Sequence, residues 1–196
     1  YEMRPDTILF GKSISSNLAL RYAAIWKDSL TNLNMSSYPH RNVKTIVQIL
    51  QRELVIADFS DTIASRSTLI ALNRPNKLEK LNLSTSLAKS DLSDQDLQRF
   101  LQQCTNLKHI NLSGNANLSF RAIMGCATSK LQNVSLEFLK CDRIAWDEIC
   151  KKHGNSLRAL NLGSSLCEDD EFRFENLSRF KCLRTLGLSN IDRSRL

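Results

Sequence analysis

The sequence predicts an α/β protein in which short parallel β-strands alternate with helices. The first observation is a pattern, Leu-x-x-Leu-x-Leu with aliphatic or small substitutions, that occurs seven times. The second is its spacing, because successive copies begin 24 to 29 residues apart. The third is a change after each copy to apolar residues three and four apart, which is the period of a helix. The first leucines of the seven copies are Leu30, Leu54, Leu78, Leu107, Leu131, Leu157 and Leu183.

Each copy predicts one short strand, because its last two apolar residues are two apart and therefore point to the same face. In LEKLNL, residues 78–83, these two residues are Leu81 and Leu83, and the residues beside them face outward. The copy LVIADF is irregular, with Ala57 and Phe59 at the same two positions. We predict parallel strands near residues 33–35, 57–59, 81–83, 110–112, 134–136, 160–162 and 186–188.

Amphipathic helices are predicted between the strands. RNVKTIVQILQRE, residues 41–53, places its apolar residues on one stripe. LSDQDLQRFLQQC, residues 92–104, does the same after a candidate N-cap at Ser93. In IAWDEICKKHGNS, residues 144–156, the stripe ends at Gly154, a residue type that suits a helix C-terminus.

Three further segments are less regular. Residues 64–73 predict a short helix that ends before Pro75, because the residue before a proline disfavours the helical conformation. Residues 172–180 contain apolar residues at looser spacing. Residues 18–28 predict a helix ahead of the first copy, and it either caps the array or belongs to an earlier copy.

Stacking of these units predicts the overall architecture. A single strand and helix cannot bury their apolar sides alone, but stacked neighbours share one continuous core. Helices are wider than strands, so we expect a curved α/β solenoid with the parallel strands on its concave face and the helices on its convex face. Residues 1–29 are expected to be an N-terminal flanking or capping helical segment. Residues 30–196 are expected to be the repeat domain, with about seven units and the last one truncated.

The composition is that of an ordinary globular chain, with 42% hydrophobic and 24% charged residues among 196. No apolar run approaches the roughly 18 residues that a membrane helix needs, so no membrane partner is expected. The net charge of +7 indicates either a solvated basic surface or a basic patch for an acidic protein segment or a nucleic acid. Because the chain does not begin with Met and stops just after a predicted strand, we expect an excerpt of a longer protein.

The cysteines predict an intracellular protein. They include no Cys-x-x-Cys pair, and the three histidines lie at no zinc-ligand spacing, so we expect no metal. Several recur at matching positions of the pattern, which favours small buried thiols in a reducing compartment, the cytoplasm or the nucleus. The six cysteines are Cys104, Cys126, Cys141, Cys150, Cys167 and Cys182.

The sequence contains no motif that indicates an enzyme. It has no glycine-rich phosphate loop, and neither His-Glu-x-x-His nor Gly-x-Ser-x-Gly occurs. The acidic run at residues 168–171 lacks the spacing of a calcium loop and is expected to be an exposed turn that leads into a helix. We therefore expect no catalytic site, no cofactor and no small-molecule substrate.

The repeated pattern resembles the leucine-rich repeat superfamily over about residues 30–196. The junction Cys104-Thr105-Asn106-Leu107 is similar to that of the cysteine-containing subfamily, in which a Cys ends the helix three residues before the next leucine. That subfamily is best known from F-box proteins, whose repeats select substrates for a ubiquitin ligase. The resemblance implies a protein-interaction scaffold or adaptor that recognises a partner on its concave face.

The outward strand positions are the candidate partner surface. They fall one, two and four residues after each first leucine, so they recur in every copy and converge on one face. Helix residues such as Arg99 and Lys152 are expected on the opposite, convex side. Phe138 is a candidate anchor if its ring is exposed. The candidate partner-binding residues are Lys80, Asn82, Lys108, His109, Asn111, Asn133, Glu137, Phe138, Arg158, Asn161 and Arg184.

Two kinds of partner remain open. A protein partner with an acidic segment fits the basic strip formed by Lys80, Lys108, His109, Arg158 and Arg184. RNA, as bound by the repeats of some mRNA-export factors, is favoured by the basic excess. The outward positions offer few aromatic residues for stacking on bases, which makes RNA the second candidate.

Overall fold

The computed structural model describes residues 5–50, 54–62, 66–72, 75–85, 91–167 and 174–191. In this part of the chain, eight strands form one parallel sheet and follow one another in chain order, β1 to β6 and then β8 and β10. Strands β7 and β9 pair separately, also in parallel. The strands are β1 (Thr7–Leu9), β2 (Asn32–Asn34), β3 (Ile56–Asp58), β4 (Lys80–Asn82), β5 (His109–Asn111), β6 (Asn133–Ser135), β7 (Lys140–Cys141), β8 (Ala159–Asn161), β9 (Leu166–Cys167) and β10 (Thr185–Gly187).

The seven predicted strands are confirmed as parallel neighbours, each beginning one residue earlier than predicted. The reason lies in the last apolar residue of each pattern. Leu83 and Leu112, for example, lie just after β4 and β5, where the chain starts to turn. Both remain buried, so the alternation of the pattern is correct. Their backbone N–H groups still donate to the next strand, Leu83 to the Asn111 carbonyl at 2.8 Å and Leu112 to the Ser135 carbonyl at 3.0 Å.

Strand β1, which lies ahead of the first recognised copy, was not predicted. Its three residues pair in register with β2, and its central residue Ile8 and the following Phe10 are both buried. Pro5 stands where the other copies have their first leucine, which is why the pattern search overlooked it. Helix α1, Ser16–Trp26, follows β1 and packs against the next helix, so this segment continues the order of the sheet.

The other helices lie between the strands as predicted. Helix α2 spans Val43–Leu50, α3 spans Arg66–Ala71, α4 spans Asp94–Leu101 and α5 spans Arg143–His153. Short 3₁₀ turns take the place of longer helices at Pro75–Lys77, Phe120–Gly125 and Leu177–Arg179. None of the helices in the described residues is long and apolar enough to cross a membrane. The acidic run at 168–171 lies outside the described residues.

The two helix ends predicted from sequence differ in outcome. Ser93 is the N-cap of α4, and its Oγ accepts a hydrogen bond from the Asp96 backbone N–H at 3.2 Å. Gly154 ends α5 but keeps a right-handed conformation, with φ of −56°. Its glycine is needed for space, because a Cβ would lie 2.6 Å from the Cys150 carbonyl oxygen and 2.8 Å from that of Arg179.

The core lies between the sheet and a layer of helices on one of its sides. Neighbouring helices pack in chain order, and the 3₁₀ turn Phe120–Gly125 takes the place between α4 and α5. The central residue of each strand points into this core, and the residues on either side of it remain accessible on the other face of the sheet. The buried central residues are Ile8, Leu33, Ala57, Leu81, Ile110, Val134 and Leu160.

The cysteines are mostly core residues. Cys104, Cys126, Cys141 and Cys150 are buried. Cys182 is exposed, so the prediction of a buried thiol is wrong for this residue. It lies in the loop that leads to β10, where neighbouring side chains are only partly covered.

His153 makes the stability of the fold dependent on pH. Its side chain is 1% exposed, and its Nδ1 atom has no hydrogen-bond partner among the described residues. Burial lowers the pKa of the imidazole from 6.5 to about 4, and the neighbouring Lys152 adds to this shift. As the pH falls below 6.5 the unfolded chain takes up this proton while the folded chain does not. The free energy of unfolding should therefore fall by about 3 kcal/mol between about pH 7 and pH 4.

Urea unfolding of the wild type and of His153→Gln over that pH range measures this effect. Carboxylates contribute to the acid limb of both proteins, so the difference between the two curves reports His153. We expect the wild type to lose stability more steeply than the variant. Parallel curves would contradict the assignment of His153 as a buried neutral group.

Candidate functional site

The face of the sheet opposite the helices carries two rows of accessible side chains. Each strand contributes the residues before and after its buried centre, and the parallel register aligns them across the sheet. Lys80 pairs with His109 and His109 with Asn133, and in the second row Asn82 pairs with Asn111. An open cavity of about 470 Å³ lies on this face from β3 to β10, and we call it the sheet groove.

Lys80, His109 and Asn133 are the polar centre of the first row. Lys80 and Asn133 are exposed, His109 is half-buried, and all three line the sheet groove. Burial lowers the pKa of His109, and the cations Lys80 and Lys108 lower it further, whereas Glu79 opposes them. The imidazole is therefore neutral at pH 7.

The second row has a structural role that the sequence analysis did not foresee. Asn82 Oδ1 accepts a hydrogen bond from the Ser84 backbone N–H at 3.1 Å. Asn111 and Asn161 bind the backbone N–H two residues on in the same way, at 3.0 and 3.2 Å. These bonds close the turn after each strand. Asn82, Asn111 and Asn161 line the groove, and each uses its Oδ1 atom to close the turn after its strand.

The predicted basic strip is not continuous. Lys108 forms an ion pair with Glu79 at 2.9 Å and does not line the groove. Arg158 and Arg184 are exposed, each one residue ahead of its strand, and neither forms an ion pair with a described residue. Positive charge that is not paired within the described residues therefore sits at Lys80 within the groove and at the two arginines on its rim.

Glu137 and Phe138 lie at the carboxyl ends of the strands rather than on the sheet face. They line a second cavity of about 580 Å³, together with Asp61, Ser113 and turn residues of neighbouring units. We call it the turn pocket. Asn111 lines both the sheet groove and the turn pocket, so the two cavities adjoin there.

Phe138 has an unusual backbone conformation for its residue type. Its φ is 61°, in the left-handed region that bulky side chains rarely adopt, and its side chain is 55% exposed. The turn requires this conformation, because the residue three after a strand end is left-handed in most units. At the other such positions stand Ser37, Asp61, Gly114, Ser164 and Asn190, residues that are small or polar. A strained, exposed aromatic residue in this series is a candidate contact for a partner.

Some groove and pocket residues were not among the predicted ones. Asp58, Ser135 and Thr185 line the sheet groove at the same positions as the chosen residues, so the aligned copies already contained that signal. Asp61 and Ser113 line the turn pocket. Their signal is the small or polar residue that follows each strand, a series to which the candidate anchor Phe138 is the exception.

The described residues offer little reactive chemistry. Burial raises the pKa of Cys104 and of Cys150 to about 12, so both thiols stay protonated and are poor nucleophiles. No group of three or more His, Cys, Asp or Glu side chains in this part of the chain could hold a metal ion. The accessible groups of the groove are instead suited to hydrogen bonds and ion pairs.

The sheet groove and the turn pocket together present an aligned row of polar side chains, a strained aromatic ring and two arginines on the rim. A search against models of known protein families finds none that matches the chain. The function has to be inferred from this surface itself.

Proposed function

We propose that the chain is a leucine-rich repeat protein that binds a partner protein on the open face of its sheet. The observation that best supports this function is the alignment of accessible polar residues in two rows across strands paired in register. Such a surface can follow an extended partner segment over several strands. The resemblance to F-box proteins extends the proposal to an adaptor or substrate-recognition role for a ubiquitin ligase.

Two observations favour a protein over RNA as the partner. The residues that line the sheet groove include no Phe, Tyr or Trp on which a base could stack. The exposed ring of Phe138 shares the turn pocket with Asp61 and Glu137, whose carboxylates would repel a phosphate backbone. The exposed cations Lys80, Arg158 and Arg184 suit an acidic segment of a protein.

The test is a charge reversal at these three exposed cations, Lys80→Glu, Arg158→Glu and Arg184→Glu together. Proteins that the wild type retains from a cell extract should be lost by this variant, because the reversed charges repel an acidic segment. Folding should be unaffected, because all three side chains are exposed. Retention is measured by quantitative mass spectrometry, with and without ribonuclease. Loss of binding after ribonuclease treatment, with a steep dependence on salt, would instead identify RNA as the partner.

The matched control reverses three cations on the helical side, Lys44, Arg99 and Lys151, which are all exposed. Lys152 is unsuitable as a control because its Nζ donates a hydrogen bond to the Cys126 carbonyl oxygen. We expect the control variant to retain the same proteins as the wild type. If the control loses them and the sheet variant keeps them, the open face is not the binding site.

Phe138→Asn should separate binding from stability. Asn tolerates the left-handed conformation, so the free energy of unfolding should stay the same or rise by up to about 1 kcal/mol. If the ring fills a pocket of the partner, affinity should fall by about 1 to 3 kcal/mol. Thermal unfolding and titration calorimetry with the recovered partner measure the two effects.

The control for Phe138→Asn is Ile25→Ala, which removes a similarly exposed apolar side chain from α1. It should leave binding unchanged. Equal affinity losses for the two variants would show that Phe138 makes no specific contact.

A further inference from the structure

The centre of the sheet groove places an exposed lysine beside a neutral histidine. Lys80 and His109 occupy matching positions on the adjacent strands β4 and β5, and both side chains line the groove. Lys80 forms no ion pair with a described residue. The amide of Asn133 follows at the matching position of β6. Adjacent strands lie about 4.8 Å apart, so one small anion can reach Lys80 and His109 together.

The charges around His109 leave this position electropositive. On its own strand, the preceding Lys108 is compensated by its ion pair with Glu79 at 2.9 Å, where both side chains are about equally exposed. On the adjacent strand, Lys80 forms no such ion pair within the described residues. Asp58 lies in the second row on β3, and its Oδ1 already accepts hydrogen bonds from the backbone N–H and the hydroxyl of Ser60. On the other side lie the uncharged Asn133 of β6 and Gln132, the residue just before that strand.

The residues on either side of this centre indicate what kind of ligand fits. Ile56 precedes Lys80 in the first row, and Ala159 follows Asn133. A polar centre between two apolar positions, spread over five strands, suits an extended peptide that carries an acidic side chain between apolar ones. A nucleic-acid backbone would bring a phosphate at every step, and the apolar positions give it nothing to bind.

We propose that Lys80 and His109 form a carboxylate receptor in the sheet groove, and that an acidic peptide segment binds there with uptake of a proton by His109. This inference rests on the proposed function, since it names the group of the partner that the groove recognises. At pH 7 the neutral imidazole can donate one N–H to the carboxylate. The arriving negative charge offsets the neighbouring lysines and favours the imidazolium, which strengthens the contact.

Peptide binding and proton uptake by His109 are linked in a defined direction. Binding raises the pKa of His109, so the complex holds more protons than the free protein, and affinity must rise as the pH falls. Affinity is best compared between about pH 7.5 and pH 5.8, because glutamate side chains stay ionised over this range. Within it, the effect of His109 is separate from the titration of the peptide.

The probe is an acetylated and amidated hexaglutamate peptide, with hexaglutamine as the neutral control and oligouridylate of equal charge as the nucleic-acid control. We expect the 196-residue chain to bind hexaglutamate at least about threefold more tightly at about pH 5.8 than at pH 7.5. Hexaglutamine should not bind. In ¹H–¹⁵N spectra of the imidazole rings, the pKa of His109 should rise on saturation with hexaglutamate, and the His153 signals should not move.

Three variants assign the effect to the two residues. Lys80→Gln should weaken hexaglutamate binding at both pH values, and Lys44→Gln on the helical side should not. His109→Asn should remove the pH dependence, so that this variant binds hexaglutamate at both pH values about as weakly as the wild type does at pH 7.5. His109→Lys, which carries a fixed charge, should bind at pH 7.5 about as tightly as the wild type at pH 5.8.

Several results would contradict the proposal of a carboxylate receptor at Lys80 and His109. Absence of hexaglutamate binding to the wild type would do so, as would binding that is independent of pH or that leaves His109 unaffected. Tighter binding of oligouridylate with the same response of His109 would assign the site to nucleic acid instead. The partner recovered from cell extract and its loss on charge reversal decide the proposed function separately, so either idea can fail without the other.

Discussion

Leu112→Ala is expected to lower the free energy of unfolding by about 2 to 5 kcal/mol. Leu112 follows β5 in the middle of the sheet, and its side chain is 0% exposed. Truncation removes apolar contacts and leaves a cavity. The cavity cannot easily collapse, because β5 is paired in parallel with β4 on one side and with β6 on the other. Urea unfolding monitored by circular dichroism measures the change.

The control for Leu112→Ala is Ile70→Ala on α3, whose side chain is 71% exposed. Changes at exposed positions stay within about 0.5 kcal/mol. A small loss for Leu112, comparable to that for Ile70, would show that the strands are in the wrong register.

Gly114→Ala is expected to destabilise the chain by roughly 2 to 5 kcal/mol, which combines roughly 1 to 3 for overpacking with roughly 1 to 2 for a left-handed residue. Gly114 has a φ of +80°, and a Cβ there would lie 1.8 Å from the Thr85 carbonyl oxygen. The turn cannot move away easily. The Gly114 N–H donates to the Glu137 carbonyl at 2.9 Å, and the Thr85 N–H donates to the Ser113 carbonyl at 2.9 Å. Thermal and urea unfolding measure the loss.

Gly11→Ala provides the matched comparison, because a Cβ at Gly11 would meet no atom within 4 Å. This variant should be close to neutral. If Gly114→Ala were equally neutral, the neighbouring turns would not be packed as closely as the structure places them.

The sheet was predictable from sequence because its signal is repeated. One Leu-x-x-Leu-x-Leu segment is ambiguous, but copies at regular spacing reinforce one another, and stacking then determines strand order. Parallel pairing and the burial of Leu81 and Leu160 followed from the alternation of apolar residues. The helix stripes were equally clear, as in Trp146 and Ile149 of α5, which are both buried.

Local features escaped prediction where a single residue replaced the pattern. Pro5 replaces the first leucine ahead of β1, so that strand was missed although Ile8 and Phe10 are buried like their counterparts. Gly154 was expected to end α5 through its backbone freedom. The reason for the glycine is the close approach of the Arg179 carbonyl, which comes from the next unit and leaves no trace in the local sequence.

The candidate surface was predictable as a set of positions but not as a set of roles. Aligned copies placed Lys80, His109 and Asn133 on one face, where the structure brings them side by side. The pairing of Lys108 with Glu79 depends on side-chain conformations across two strands, which a pattern cannot give. The turn-closing bonds of the asparagines were likewise hidden, because Asn suits both a partner contact and a turn.

Phe138 shows how stability and binding can differ in one residue. The turn favours Gly, Asn, Asp or Ser at this position, and an aromatic ring there is strained and exposed. Natural proteins keep such residues mainly where a site needs them. Its neighbour Glu137 lies against the next unit, since a Cβ on Gly163 would come within 2.8 Å of the Glu137 Oε1 atom. The turn pocket is therefore held in place by that unit.

The central claim is that the open face of the sheet is the surface that meets the partner. A photo-crosslinking amino acid placed at Asn133, an exposed residue in the middle of the sheet groove, tests this most directly. The same group at Lys44, which is exposed on the helical side, is the comparison. The account predicts a covalent adduct with the recovered partner protein from Asn133 and none from Lys44. An adduct from Lys44 with none from Asn133 would contradict it.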